Sequence, residues 1–574
     1  MSRDRGDRRF VVLWRTFFAQ FFASELVTSD HQLRQAMIGT LAFLVMPGLL
    51  IPFQLNFAFE FAAIRFPALL EPLTRLLATI FITYSFVSIG VVAAFAWDAL
   101  GFDRRDAMVL GPLPVRGAMV IAAKLAALGA FLLAAATAVN AITAVPFAMT
   151  ASSHKAAVGV GRHMLAHLTA TMAAATFVFC VLVTFRALVG MLGKGRVALG
   201  TALQFLLISG LLCFIVFVPT ALKIELVRKG VFAVRMQSIP AWSPTNWFLG
   251  LYEVLRGAPG GGDFGVAAAK AAAFTLAAVG TAVATTIAGY RRELQRALAP
   301  SALPAAGPIA RLQVALARLL AGRGPVARAT AEFVVTTLTR NRGQQVPVAI
   351  NAAIAIALLA AAFSRSAPTL DGLRQPRVLV LWIPLVVGYW VTIGVRAAYF
   401  VPAELPAAWT FRTNAPASGR AYWRGTRAAT MALVAPPALV IAAALTTPLL
   451  GWRVAAWHTA FVLVLLGAVI DTVLLTMDRV PFTRPYEPGH ARLKTRWPLY
   501  AIGLLVAAYW PVRLELLALG GGEPQLLGWT LAGAVALHAL AWRRGSRWSV
   551  EPPDADLADE VSDIAVLNIG AVRA

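Results

Sequence analysis

Hydrophobic and polar positions alternate along this chain in long blocks. Twelve apolar runs of about 20 residues, the length an α-helix needs to cross a bilayer, are separated by short segments rich in arginine, glycine and proline. The pattern therefore predicts an all-α polytopic membrane protein with about 12 transmembrane helices. The runs cover residues 36–53, 76–97, 118–148, 164–189, 198–220, 264–290, 346–363, 378–398, 428–451, 455–477, 497–517 and 526–542.

The beginning of the chain has a different periodicity. Its apolar residues recur near helical spacing, and Arg15 interrupts them where a signal peptide would be continuously apolar. This spacing predicts an amphipathic helix that lies on the cytoplasmic leaflet of the membrane. The apolar positions are Phe10, Val11, Leu13, Trp14, Phe17, Phe18, Phe21 and Phe22.

Composition strengthens the membrane assignment and removes one class of function. The 574 residues are 59% hydrophobic and 14% charged, with a mean hydropathy of +0.72. In a soluble protein a net charge of +24 would suggest nucleic-acid binding, but these basic residues lie between the apolar runs, where positive-inside topology places them. We therefore expect the lipid bilayer, and not nucleic acid, as a partner. Cys180 and Cys213 lie within apolar runs and predict no disulfide or metal site.

The distribution of lysine and arginine also predicts the orientation. When the N-terminus is placed inside, the inner segments hold 33 of the 51 basic residues. The outer segments, together with the outer ends of the apolar runs, hold 14. An excess of this size sets the orientation of a polytopic protein. Both termini are therefore expected in the cytoplasm of a bacterial-type inner (plasma) membrane, with multiple passes between them.

The chain contains a weak internal repeat. Residues 21–44 align with residues 331–354, and Pro114 aligns with Pro416; two apolar runs precede each proline and four follow it. The pattern predicts two parallel six-helix repeats, as in many transporters. The predicted parts are a first half at 1–290, a basic cytoplasmic linker with an amphipathic helix at 291–345, a second half at 346–542 and an acidic cytoplasmic tail at 543–574.

A polar island, DRRDAMVLGPLPVRG, lies between the second and third runs. Residues 103–110 fit two helical turns, and Gly111, Pro112 and Pro114 end that helix. Its charged side would carry Asp103, Arg104, Arg105 and Asp106, and its apolar side Phe102, Ala107, Val109 and Leu110. An ordinary loop whose arginines reach the membrane surface is an alternative interpretation.

The charged short helix, the following LGPLPVR and a lysine in the next span resemble the membrane subunits of ABC-2 type (type V) exporters. The resemblance implies a permease of two fused halves without catalytic residues, whose coupling helix contacts a separate ABC ATPase dimer. ATP and magnesium would bind to that partner, so no cofactor is expected in this chain. The implied coupling residues are Asp103, Arg104, Arg105, Asp106, Leu110, Pro112, Pro114, Arg116 and Lys124, with Arg412 and Pro416 in the second half.

A long outer segment, residues 223–257, precedes the sixth run. Its aromatic residues cluster beside prolines, which is typical of an anchor at the membrane interface. The same resemblance implies re-entrant helices that form an outer gate here, and a simple interfacial anchor is the alternative. The residues are Pro240, Trp242, Trp247, Phe248 and Tyr252. The second half has only a short turn at the corresponding place.

Enzymatic functions have weaker support. The chain has no GxxxxGK[ST] phosphate loop, so any ATP would bind to a separate polypeptide. A membrane prenyl or glycosyl transferase would need converging carboxylates, but Asp98, Asp103 and Asp106 have no second cluster and lie beside two arginines. His163 and His167 are four residues apart with no third ligand nearby, so we expect no metal site and two interfacial histidines.

An ion-coupled secondary transporter is the other alternative. Charges within apolar runs mark functional sites in membrane proteins. Arg186, Lys270 and Asp471 fall at the margins of runs, where their side chains can reach the surface. Lys124 and Arg396 lie deeper, within about two helical turns of the inner surface. The sequence predicts no chain of buried acids, which favours the ATP-driven interpretation.

Overall fold

The structure is a computed structural model, and helices account for most of the residues that it describes. The chain forms two compact units, Met1–Ala302 with Ile356–Ala367 and Leu303–Ala355 with Pro368–Ala574. The described residues are 2–21, 50–52, 55–57, 59–62, 64–102, 104–110, 113–152, 159–192, 196–221, 224–229, 231–236, 242–257, 262–298, 307–366, 378–403, 411, 418–483, 493–520 and 525–549.

The first unit is built mainly from long helices. In chain order they are α1 (Ser2–Gln20), α2 (Leu70–Phe95, after a 3₁₀ turn at Pro67–Leu69), α3 (Arg104–Leu110), α4 (Gly117–Ser152), α5 (Val160–Met191), α6 (Arg196–Ala221), α7 (Pro244–Arg256) and α8 (Gly262–Leu298). A hairpin of strands β1 (Ile224–Lys229) and β2 (Val231–Met236) lies between α6 and α7.

The second unit is also helical. Its elements are α9 (Pro308–Ala321), α10 (Pro325–Arg340), the first part of α11 (Arg342–Ser366), α12 (Val378–Ala398), α13 (Arg420–Leu450), α14 (Trp452–Leu474), α15 (Leu493–Leu504), a π-helical turn (Leu505–Tyr509), α16 (Trp510–Leu519) and α17 (Gln525–Gly545). The linker predicted at 291–345 thus contains the end of α8 and two further helices.

Nine helices in the described part of the chain are long and apolar enough to cross a membrane. They coincide with the predicted runs two to four and six to eleven. The run at 198–220 lies in α6, the run at 526–542 lies in α17, and most of the run at 36–53 lies outside the described residues. The chain is therefore a mainly helical multi-pass membrane protein, and the number twelve stays a prediction. The helix predicted at the N-terminus is present as α1.

The hairpin departs from the all-α expectation. Its strands pair antiparallel, with Ile224 opposite Met236 and Leu226 opposite Val234. The sequences IELVRK and VFAVRM are rich in β-branched residues, which favour strands over helices. The prediction for residues 223–257 rested on the aromatic residues and prolines near the end of the segment and did not take this local preference into account.

Each unit has one helix at the centre of its packing. In the first unit α5 packs against α2, α4, α7 and α8. Ala166, Ala170 and Ala174 are almost completely buried and recur every four residues along α5, and such small side chains allow membrane helices to approach closely. In the second unit α13 packs against α9, α10, α12, α14 and α17.

Candidate functional site

The proline loop of the first unit joins α2 to α4 and contains the short helix α3. Asp106 and Ala107 are buried, whereas Met108 and Val109 are 53% and 57% exposed. Leu113, in the turn that follows α3, is 47% exposed. The exposed side chains described in α3 are therefore apolar. The sequence placed Val109 on the apolar side of the helix and Asp106 on the charged side, and the structure exposes Val109 and buries Asp106.

A buried lysine holds α1, α3 and α4 together beneath this loop. Lys124 of α4 is fully buried, and its Nζ donates a hydrogen bond to Gln20 Oε1 over 3.2 Å. Gln20 Nε2 in turn donates to Asp106 Oδ1 over 2.5 Å. The same ammonium lies 4.8 Å from the ring centroid of Phe17 and 5.5 Å from that of Phe102, both within cation–π range. We call these five residues the lysine brace.

A second set of contacts joins the loop to α5 and α8. The backbone N–H of Phe102 donates to Glu293 Oε2 over 3.0 Å. Arg186 Nη1 lies 3.4 Å from Glu293 Oε1, and Arg186 Nε donates to the Trp97 carbonyl over 3.1 Å. Both side chains of the ion pair are largely buried, so Arg186 does not simply reach for the surface as the sequence suggested. We call these contacts the Glu293 anchor.

The structure places the other predicted coupling residues unevenly. Leu110 is half-buried against the core beneath the loop, while Pro114 and Arg116 are exposed. Arg104 and Arg105 belong to α3, but their side chains are outside the description. Asp103, Pro112, Arg412 and Pro416 lie outside the described residues, as does Pro240 of the outer segment.

The outer segment of the first unit contributes α7, which packs on α2, α5 and α8. Phe248 and Tyr252 are fully buried, and Trp247 stacks on Phe274 with ring centroids 4.6 Å apart. Trp242 is 75% exposed, so it does not join the predicted aromatic cluster. The Tyr252 hydroxyl lies 2.7 Å from His163 Nδ1, and burial raises the pKa of Tyr252, which keeps the phenol protonated.

Four alternating charges attach α7 to α2. Arg256 forms ion pairs with Glu71 and with Glu253, the latter over 2.6 Å. Arg75 lies 3.1 Å from Glu71 and 3.5 Å from Glu253. Each charge therefore has neighbours of opposite sign, which offsets the cost of their partial burial. The aromatic residues of this region stand out in the sequence, but these charges do not, because Glu71 and Arg256 are 185 residues apart in the chain.

The two histidines of α5 lie inside the first unit. His163 and His167 are both almost completely buried, and His167 stacks on Phe147 with centroids 4.2 Å apart. Among the described residues, no group of three or more histidine, cysteine, aspartate or glutamate side chains could hold a metal ion.

In the second unit, polar groups meet at one end of a cavity. Arg396 is buried; its Nε donates to Thr476 Oγ1 over 2.9 Å and its Nη1 to the Tyr500 hydroxyl over 3.0 Å. The cavity beside them has a volume of about 650 Å³ and is lined mainly by apolar side chains. The sequence indicated Arg396 but not its partners, since Thr476 and Tyr500 are distant in the chain and ordinary in composition.

Two buried acidic residues of the second unit, Glu515 and Asp471, also have polar partners. His458 Nδ1 lies 2.9 Å from Glu515 Oε2, and both side chains are fully buried. Asp471, which was expected at a span margin, is also buried, with Arg427 Nε at 2.6 Å and His538 Nδ1 at 3.0 Å.

Comparison with protein-family models, with curated proteins and with solved structures gave no match.

Proposed function

We propose that this chain is the membrane-spanning permease subunit of an ATP-driven ABC-2 type exporter, with ATP bound by a separate ABC ATPase. The observation that carries the proposal is the exposed apolar side of α3 on a loop attached to several long helices. The charge distribution supports an inner-membrane location with both termini, and this loop, in the cytoplasm.

The exposed side of α3 is suited to a protein partner. Seven residues are too few to cross a bilayer, so α3 presents Met108 and Val109 outside the spans. Leu113 and the exposed Arg116 extend this surface. Exposed apolar side chains close in the chain to an exposed arginine are typical of an interaction surface.

The lysine brace and the Glu293 anchor support a mechanical role for the loop. Through them α3 is attached to α1 and α4, and the residues just before it are attached to α5 and α8. Buried hydrogen bonds and ion pairs resist local deformation more than exposed ones do. A displacement of α3 by ATPase closure would therefore move these helices together, as rigid elements, and alternate access to a transport path.

The helix contacts support two related halves. In the first unit α2 contacts α4 and α5, α4 contacts α5, and α5 contacts α8. In the second unit α12 contacts α13 and α14, α13 contacts α14, and α14 contacts α17. These pairs follow the order that the proposed six-span repeat requires.

We include in the proposal an outer gate at α7, which has no described counterpart between α16 and α17.

Association with an ATPase tests the proposal directly. We expect a reading frame beside this gene to encode a protein that carries GxxxxGK[ST] and that co-purifies with the chain in detergent. We expect Val109→Glu to abolish co-purification, because a charge would be buried in the contact. Val254→Glu is the matched control: Val254 is also exposed, at 44%, but on the outer segment. Retention of the ATPase by V109E, or its equal loss from V254E, would contradict the assigned surface.

A second candidate function rests on the buried titratable groups of the second unit. His458 with Glu515, and Asp471 with Arg427 and His538, give the interior polar contacts that ion-coupled transporters use. The two candidates differ in energy source. In proteoliposomes, the ABC proposal expects transport only with the ATPase and ATP, whereas transport driven by a pH gradient alone and lost in Glu515→Gln would favour ion coupling.

A further inference from the structure

The cavity of the second unit combines an apolar interior with one cationic end. Its walls come from α12, α14, the α15–α16 region and α17. Leu465, Val469 and Leu537 are among the apolar side chains that line it. A volume of about 650 Å³ lies within the range of sites that enclose small organic ligands.

Arg396, the cation of the cavity, and its two hydroxyl partners lie at one end of the helices that form the walls. Arg396 lies two residues before the end of α12, Thr476 follows α14, and Tyr500 lies at the beginning of the candidate span Leu499–Leu519. Tyr389 donates its hydroxyl proton to the Tyr500 carbonyl over 2.8 Å, which joins α15 to α12. By the charge-based topology this is the cytoplasmic end of all three helices.

Three apolar residues of the cavity wall are exposed at the surface of predicted spans, where we expect lipid. Leu499, Val506 and Trp529 line the cavity and are 63%, 62% and 76% exposed. An apolar chain could therefore enter sideways from the bilayer without crossing a polar barrier. The π-helical turn Leu505–Tyr509 contributes Val506 and Ala507 to this wall, and such turns within helices occur frequently at functional sites.

We propose that this cavity binds an amphipathic anion, a single acyl chain with a carboxylate or phosphate headgroup, from the adjacent bilayer. The headgroup lies at Arg396, whose planar guanidinium favours carboxylate and phosphate oxygens. The Thr476 and Tyr500 hydroxyls surround the same position. The acyl chain occupies the apolar part of the cavity. This site lies within one unit and does not depend on coupling to an ATPase.

Two glycines of α17 provide a matched pair of variants. Gly533 lines the cavity, Gly528 lies on the same helix outside it, and a Cβ at either position would meet nothing within 4 Å. Gly533→Leu therefore fills the cavity without a steric conflict at its first carbon. Gly528→Leu makes the same chemical change away from it.

Binding is measured on the full chain in nanodiscs of neutral lipid. The probe is dibromostearic acid, whose bromines quench nearby tryptophan, and the Trp529→Phe variant identifies the part of the signal that comes from the cavity. Its uncharged methyl ester, a brominated lysophosphatidic acid and inorganic phosphate as a competitor form the other arms. We expect saturable quenching by both acids and no displacement by phosphate alone.

The variants decide between a specific site and general lipid contact. We expect Gly533→Leu to weaken acid binding by about tenfold or more, Gly528→Leu to leave it unchanged, and Arg396→Gln to remove a preference for acid over ester of about tenfold. Arg396→Lys should retain most of that preference. Equal binding of acid and ester, equal effects of the two glycine variants, or displacement by phosphate alone would overturn the proposal. The glycine pair keeps the test valid if Arg396→Gln fails to fold.

Discussion

Lys124 in the first unit and Arg396 in the second are both cations buried near the end of an apolar helix, yet their surroundings differ. The lysine contacts Gln20 and two aromatic rings, in a packed region that joins three helices. The arginine also lies over an aromatic ring, that of Phe400 at 5.0 Å, but it donates to the hydroxyls of Thr476 and Tyr500 and lines a cavity. A buried charge in a membrane helix can therefore connect helices or form part of a ligand site, and its neighbours distinguish the two roles.

Removal of Lys124 should have the largest effect. Lys124→Met preserves most of the side-chain volume but leaves Gln20 and Asp106 without the ammonium, and we expect a loss of about 3 kcal/mol in the free energy of unfolding. The measurement is unfolding of the purified chain in a mild detergent. Arg116→Met, at an exposed position of the same loop, is the control and should change the stability by less than about 0.5 kcal/mol. Equal stabilities of the two variants would contradict the structural role of Lys124.

Weakening the Glu293 anchor should have the next largest effect on stability. Glu293→Gln weakens the ion pair with Arg186 and the hydrogen bond from Phe102, and we expect a loss of about 2 kcal/mol. Hydrogen exchange of residues 97–102 should become faster, because their attachment to α8 is weaker. Glu332 forms an ion pair with Arg318 in which both side chains are about half exposed. Glu332→Gln should therefore cost less than about 1 kcal/mol, and an equal cost for both variants would show that burial does not matter here.

The sequence predicted the helical membrane fold well because long apolar runs are a direct consequence of bilayer thickness. It also indicated α1, the position of α3 and both buried cations. It did not predict which side of α3 is buried, since seven residues leave the orientation to contacts with Gln20 and Phe102. Nor did it indicate the cavity, because contacts such as Arg396 with Thr476 join residues 80 positions apart.

Loss of the Arg396 charge should destabilise the chain less than loss of Lys124. We expect Arg396→Gln to cost about 1–2 kcal/mol, because an amide can retain part of the hydrogen bonding and water can enter the adjacent cavity. The measurement is the same detergent unfolding experiment. A cost larger than that of Lys124→Met would mean that Arg396 also connects helices, and the contrast between the two cations would fail.

A substitution in the wall of the cavity should have a smaller effect on stability. A Cβ at Gly503 would lie 2.4 Å from the Tyr389 hydroxyl oxygen. Gly503→Ala should therefore displace that hydroxyl from the Tyr500 carbonyl and cost about 1 kcal/mol. Gly528→Ala on α17, where the added carbon meets nothing within 4 Å, is the control. Thermal unfolding midpoints compare the two, and an unchanged midpoint for G503A would count against this contact.

A substitution on the exposed side of α3 should have the smallest effect on stability. Val109→Glu should change the free energy of unfolding by less than about 0.5 kcal/mol, because Val109 is 57% exposed and belongs to neither the lysine brace nor the Glu293 anchor. The measurement is again detergent unfolding, with Val254→Glu as the control. A larger loss for Val109→Glu alone would place Val109 among the packed residues of the loop.

ATP hydrolysis by the reconstituted complex tests the central claim most directly. The rate is measured for the partner ATPase alone and with the chain in proteoliposomes, using wild type, V109E and V254E. We expect wild type and V254E to change the hydrolysis rate of the ATPase, and V109E to leave it at the rate of the ATPase alone. A rate that responds equally to all three proteins, or to none of them, would contradict the assignment of α3 as the coupling surface.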